Sequence, residues 1–290
     1  MDILNISDNL NNKDQVSFSM KRSPYVRTKI RAGYDAYKDK NGITQFGETV
    51  FETENMIVLG GSLFTLEKVF GVTSPLTVRD LRDIASLPSN DAPINNNKDT
   101  YVCLFGVGTG GAGESMTDVK DVEYYEDTIE DMIPFRQTDS ELTSDEALKY
   151  WFKKPITVNI DGGQINKTAY YLKRFETTPE IFVLWRDAEG DEDGSEVGGN
   201  VHETPSTNTT PIETFIELTL KITKKDVREF FNDNGNIEAT RINSIGLFTG
   251  VKNDEDDDYQ QVKLFSKLNI NNEILVLSKD LTISYRIYTS

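Results

Sequence analysis

Strict alternation of apolar and polar positions marks Pro211–Ile222 (PIETFIELTLKI) as a half-buried strand. Pro155–Asp187 alternates in the same way on either side of Asp161-Gly162-Gly163, which predicts two strands around a turn and places Trp185 in an apolar strand. From Val26 to Gly61 the chain reads as strand, turn and strand, with Asn41-Gly42 suited to the left-handed backbone of a tight hairpin. Tyr101–Val107 (YVCLFGV) reads as a short buried strand in which Cys103 is a small core residue. Arg241–Gly250, Gln260–Ile270 and Ile274–Tyr288 complete the extended segments.

Helical spacing appears in four places. Leu63, Leu66, Val69 and Phe70 follow Ser62 as a cap and precede Gly71 as a stop. Thr77–Ser86 starts at a capping threonine and ends before Pro88. Ser140–Lys154 (SELTSDEALKYWFKK) carries the strongest helix signal. Thr143 or Ser144 caps it, Glu146 completes a capping box, Lys153 and Lys154 sit at the negative end of the dipole, and Pro155 stops it. This assignment puts Trp151 on a helix, as a core residue. Thr223–Asp233 is a short amphipathic helix with Gly235 beyond it, whereas Ser89–Asp99 and Ala188–Pro211 lack either period and read as loops.

These elements predict an α+β, mainly β protein. Residues 1–25 form an extended arm, 26–155 a mixed α/β lobe carrying the short helices, and 156–290 a C-terminal antiparallel β-sandwich with acidic loops at 187–210 and 253–258. A chain of 290 residues fits one large domain or two ordinary ones. Its 37% hydrophobic content is low, but 15 Phe, 12 Tyr and 2 Trp supply large buriable faces and argue against disorder. A single cysteine excludes an internal disulfide framework and a multi-cysteine zinc site, and a single histidine, His202, disfavours His-based metal or triad chemistry. The start, MDILNISDNLNNKDQ, lacks the apolar core of a signal peptide. Runs such as Met56–Leu59 and Ile181–Trp185 are too short to span a bilayer. A reducing, cytoplasm-like compartment without membrane attachment is therefore expected.

The net charge of −17 disfavours a general nucleic-acid binder. Charge is also unevenly placed, for residues 1–40 hold eight basic against five acidic side chains. Within that stretch Lys21, Arg22, Arg27, Lys29 and Arg31 are candidate interface residues, expected to lie across an acidic neighbour; a frayed, solvated terminus is the other reading. The complementary acidic surfaces are Asp118–Asp131 and Asp187–Glu196.

Candidate chemistry is sparse. Gly106, Gly108 and Gly111 make a literal GxGxxG after a strand, but the acidic continuation GESMTDVKDVEYYEDTIEDM suits neither phosphate nor an apolar helix, so no cofactor is expected. Glu189, Asp191 and Asp193, with Gly194, approach a calcium loop. Glu stands where the first Asp belongs, Glu196 fills an apolar slot, and Asn200 stands where a bidentate Glu is required. They stay weak metal candidates beside the reading of a solvated acidic loop, and Asp254–Asp258 reads likewise. No catalytic constellation emerges.

Three segments near the end, RINSIGLF (241–248), LFSKLNI (264–270) and LTISYRIY (281–288), resemble a pattern found in virion proteins of tailed bacteriophages, where it describes three strands of a small β-sandwich. Ser244 departs from it at a position that often holds Glu. YVCLFGVGTGGAG, DMIPFR and YYLKRFET are similar to structural proteins of large myophages. The resemblance implies a non-enzymatic virion protein, a neck or collar component at the head–tail junction. It would form a ring with itself, contact other neck, tail or portal-proximal proteins, and assemble in the bacterial host's cytoplasm. A tail-fibre or baseplate attachment adaptor is the alternative, and a divalent-ion-dependent enzyme a more distant one.

Overall fold

The computed structural model describes residues 27–73, 100–110, 129, 131–142, 144–187, 196–200, 209–235, 241–253, 258–270 and 279–288. Thirteen strands form a mainly β, antiparallel architecture: β1 (Arg27–Lys38), β2 (Thr44–Ile57), β3 (Tyr101–Gly108), β4 (Met132–Ile133), β5 (Arg136–Thr138), β6 (Tyr150–Ile160), β7 (Gly163–Arg174), β8 (Glu180–Asp187), β9 (Glu196–Asn200), β10 (Thr209–Ile222), β11 (Ser244–Asn253), β12 (Asp258–Asn269) and β13 (Leu281–Tyr288). Helix α1 spans Leu59–Phe70, a 3-10 turn spans Ser144–Lys149, and α2 spans Arg228–Asp233.

One sheet runs β9-β8-β10-β13-β1-β2 and the other β12-β11-β3-β7-β5, with β4 on β3 and β6 on β7. β2 belongs to both. Residues 44–55 pair with β1, while Met56 and Ile57 pair with Lys267 and Ser266 of β12. Alternation decides what each face carries. Ile30 and Ala32 of β1, Leu218 and Leu220 of β10, and Ile283 and Tyr285 of β13 join Phe105 of β3, Leu247 of β11 and Phe265 of β12 in one buried apolar layer. Leu104, Phe248 and Leu264, one residue out of phase, form a second cluster with Cys103, Trp151 and Leu172. A third cluster, Ile43, Phe182, Phe215 and Tyr288, lies on the residues of the first sheet that alternate with its inner face.

Local sequence gives way to tertiary pairing in several places. Ser140–Lys154 is not a helix: after the six-residue 3-10 turn, Tyr150-Trp151-Phe152 enter β6 and pair along β7 from Tyr150↔Lys173 to Ile160↔Gly163. Their aromatic rings favour a pleated, half-buried surface. Pro155 is tolerated within β6 because that strand pairs only with β7 among the described residues. Trp151 is buried as expected, but on a strand. Ala188–Pro211 is not wholly a loop, since β9 pairs with β8 and β10 begins at Thr209. The glycines of β9 carry no side chain, so no alternation advertises it. α1 starts at Leu59 rather than after Ser62, because Gly60 and Gly61 lie inside the helix against β12. A Cβ on Gly61 would stand 2.0 Å from the Phe265 carbonyl oxygen. Gly71 ends the helix in the left-handed region (φ 64°) with its N–H on the Glu67 carbonyl, as expected.

The strand order does not follow a boundary at residue 155. β1, β2 and β3 sit among the strands of the expected C-terminal sandwich, β1 directly between β2 and β13. Hydrogen bonding to β13 and β12 draws the N-terminal hairpin into the middle of the assembly. The predicted helix Thr77–Ser86 and the loop Ser89–Asp99 lie outside the described residues.

Candidate functional site

The predicted interface cations divide in two. Lys21 and Arg22 lie outside the described residues, whereas Arg27, Lys29 and Arg31 point to the same side of β1 and are satisfied within the chain. Arg27 donates to Glu213 at 2.8 Å, Lys29 meets Glu52 at 2.7 Å, and Arg31 meets Glu52 at 3.2 Å and donates to Gln45 at 3.0 Å. These three residues therefore sit on this chain's own sheet, and Arg27 and Lys29 keep part of their side chains at the surface. Ile30, between Lys29 and Arg31, and Ala32, just after Arg31, are fully buried, so β1 belongs to this chain's own core. Glu189, Asp191 and Asp193, His202 and Asp254–Glu255–Asp256–Asp257 lie outside the described residues. Gly106 lies inside β3 and Gly108 ends it, opposite Gly246 and Ser244 of β11, and a Cβ at Gly106 would meet the Met132 methyl at 2.8 Å. Close packing accounts for Gly106.

Two buried carboxylates that the sequence does not single out organise the polar interior. Glu217, on β10, accepts from the Thr44 hydroxyl (2.6 Å) and N–H (3.1 Å) and from Lys38 (3.0 Å) through Oε1. Ser284 (2.8 Å) and Arg286 (3.0 Å) donate to Oε2. Burial alone pushes this carboxyl up. The bonds from Thr44, Lys38 and Ser284 and the Arg286 charge outweigh burial and hold it below the ordinary carboxylate value. Because Lys38 and Thr44 flank the β1–β2 turn, Glu217 pins that turn across β10 and β13. Ile43 then packs with Phe182 and Phe215.

Asp226, between β10 and α2, accepts from Lys173 (2.6 Å) and the Thr223 N–H (2.6 Å) through Oδ2 and from the Tyr150 hydroxyl (2.7 Å) through Oδ1. Lys173 also donates to the Lys221 carbonyl at 2.7 Å and lies over the rings of Tyr150 and Phe135. Burial, then the charge and bond of Asp226, raise the Tyr150 phenol. The next residue, Val227, is left-handed (φ 57°), a strained conformation for a β-branched side chain. Its N–H is fixed on the Phe135 carbonyl at 2.9 Å. Nearby, Arg136 forks onto Glu229 at 3.0 and 3.1 Å and also meets Glu146, and Lys167 meets Asp233 at 2.6 Å. In both networks each buried charge meets at least one opposite charge inside the protein, an arrangement suited to holding strands and turns together. The partners of Glu217 lie up to 179 residues away in sequence, so no local motif could reveal them.

The outward feature of the fold is α1. It buries Gly60, Gly61 and Glu67 and packs Phe64 edge-on against Phe265 (6.0 Å). Leu66, Val69 and Phe70 are 50%, 67% and 68% exposed, and Val72 continues the patch beyond the helix. The helix therefore shows much of its bulky apolar side to solvent. Its sequence stripe did signal an apolar face, though not that the glycine side would take the protein contact. Comparison with protein-family models, with curated proteins and with solved structures finds no match.

Proposed function

We propose that this chain is a structural subunit of a tailed-bacteriophage particle, a neck or collar component that assembles as a ring. The observation that carries an assembly role is the exposed apolar cluster Leu66, Val69, Phe70 and Val72 on and beside α1. Contiguous apolar patches on a protein surface mark contact sites. Support for the particle assignment comes from the virion-like segments: RINSIGLF leads into β11, LFSKLNI lies along β12, and LTISYRIY is β13. In a closed ring each subunit presents the same patch to its neighbour, so modest contacts repeat around the circle.

Sedimentation of the full chain tests assembly, and the position of its density in intact particles tests placement. The expected result is a closed oligomer that L66S/F70S converts to folded monomer, with density at the head–tail junction. A chain that stays monomeric at every concentration and is missing from that junction overturns the reading. Density around fibres or the baseplate would instead support an attachment adaptor.

A further inference from the structure

A cleft of about 600 Å³ opens at the start of β3. Its floor is Tyr101, Val102 and Cys103, with the 3-10 turn on one wall and the end of β7 on the other. On one side these floor residues are paired, Tyr101 with Gly250 and Val102 with Thr249. On the other, pairing with β7 begins only at Leu104↔Arg174 and Phe105↔Lys173. Beyond Arg174 the chain turns away, and the Glu176 N–H bonds to the Thr219 carbonyl (2.7 Å) instead of continuing the ladder. Three residues of β3 thus present a strand edge to the cleft that no strand among the described residues fills. Such an edge is a template for an added strand.

The side chains around that edge state what kind of strand fits. Tyr101 and Leu148 are each 48% exposed at the cleft. Lys149 and Arg174 are exposed there too, and neither has a carboxylate partner among the described residues, although the chain has a net charge of −17. Arg174 lies over the Trp151 ring at 5.2 Å, which holds its guanidinium in place. Of the acids lining the cleft, Glu176 faces Lys221 at 3.8 Å, leaving Asp145 against the two cations.

We propose that the cleft binds an extended acidic peptide of another protein, which adds as a strand to β3 at Tyr101–Cys103. Its carboxylates meet Lys149 and Arg174, and alternate apolar side chains rest on Tyr101 and Leu148. The site is separate from α1 and does not depend on placement in a particle.

The test is fluorescence anisotropy with a short dye-labelled peptide of alternating Glu and Val. A Lys/Val peptide and a short oligothymidylate serve as comparisons, and amide exchange of the full chain is followed with and without peptide. Saturable binding of the Glu/Val peptide is expected, with slower exchange at Tyr101–Cys103 and no binding of the Lys/Val peptide. Reversing both charges (K149E/R174E) should weaken binding by about tenfold. Both side chains are exposed and lack carboxylate partners among the described residues, so an unchanged melting temperature should confirm the variant's fold. The single variants K149Q and R174Q provide smaller steps in the same direction. Absence of peptide binding, equal binding by the variants, unchanged exchange at Tyr101–Cys103, or equal binding of oligothymidylate would each overturn the proposal.

Discussion

Replacing Asp226 by asparagine removes one charge and almost no volume from the most enclosed ion pair described above. The Lys173 and Asp226 side chains are only 5% and 0% exposed, so the ammonium left behind has no water to turn to. Breaking a buried pair by neutralising one member costs about 3–5 kcal/mol, chiefly because the remaining charge is stranded. For a chain of this size that corresponds to a fall of about 6–10 °C in the melting midpoint. The assay is urea denaturation, following the midpoint at constant slope so that the change is assigned to stability. K173M should cost a similar amount by stranding the carboxylate. The double variant K173M/D226N removes both charges and should be less destabilised than the sum of the singles by about 1–3 kcal/mol. A D226N protein within about 1 kcal/mol of the parent, or a strictly additive double variant, would refute the view that Asp226 and Lys173 act as one unit.

Gly61→Ala should lower stability by about 1–3 kcal/mol in the same assay, because the added methyl meets the Phe265 carbonyl and the Ile57 side chain and forces α1 off β12. Glu217 is held below the 4.5 of a free carboxyl, so its contribution is fully present above that pH and is lost as pH falls through its lower folded value. Melting followed from neutral pH down through 4.5 should show this loss, and E217Q should melt lower at neutral pH and show a flatter acid limb. Burial pushes the Cys103 thiol up to about 12, so a thiol reagent should leave it untouched at neutral pH in the native protein and modify it fully in denaturant.

Where sequence and structure agree, the deciding interactions are local. The Asn41-Gly42 hairpin, the turn at Asp161-Gly162 and the alternation of β10 are each written within a few residues, and each appears where its pattern falls. The mainly β class follows from these. Ser140–Lys154 fails for the opposite reason. Its caps and charges favour a helix, and six residues obey as a 3-10 turn, but Tyr150–Phe152 gain more from lying along β7. The Glu217 and Asp226 networks were illegible because their members come from β1, β2, β6, β7, β10, β13 and the segment between β10 and α2, and each looks alone like an ordinary polar residue. Arg27, Lys29 and Arg31 show how a basic run can hide a core strand: the charges draw the eye, yet Ile30 and Ala32 in the same segment are fully buried.

Because β1 lies between β2 and β13, Arg27 faces Tyr288 across one rung of the ladder. During synthesis the first hairpin emerges with one flank unpaired, and its neighbour is the last strand described. The first sheet cannot join β1 to β10 until residues 281–288 have left the ribosome, so the β1–β2 hairpin waits without that neighbour while all the chain between it and β13 is made. Long-range closure of this kind slows folding and leaves strand edges open to other chains. Expression at lower temperature or with holding chaperones should therefore raise soluble yield more than any change to the surface, and chains interrupted before Leu281 should be recovered as aggregate.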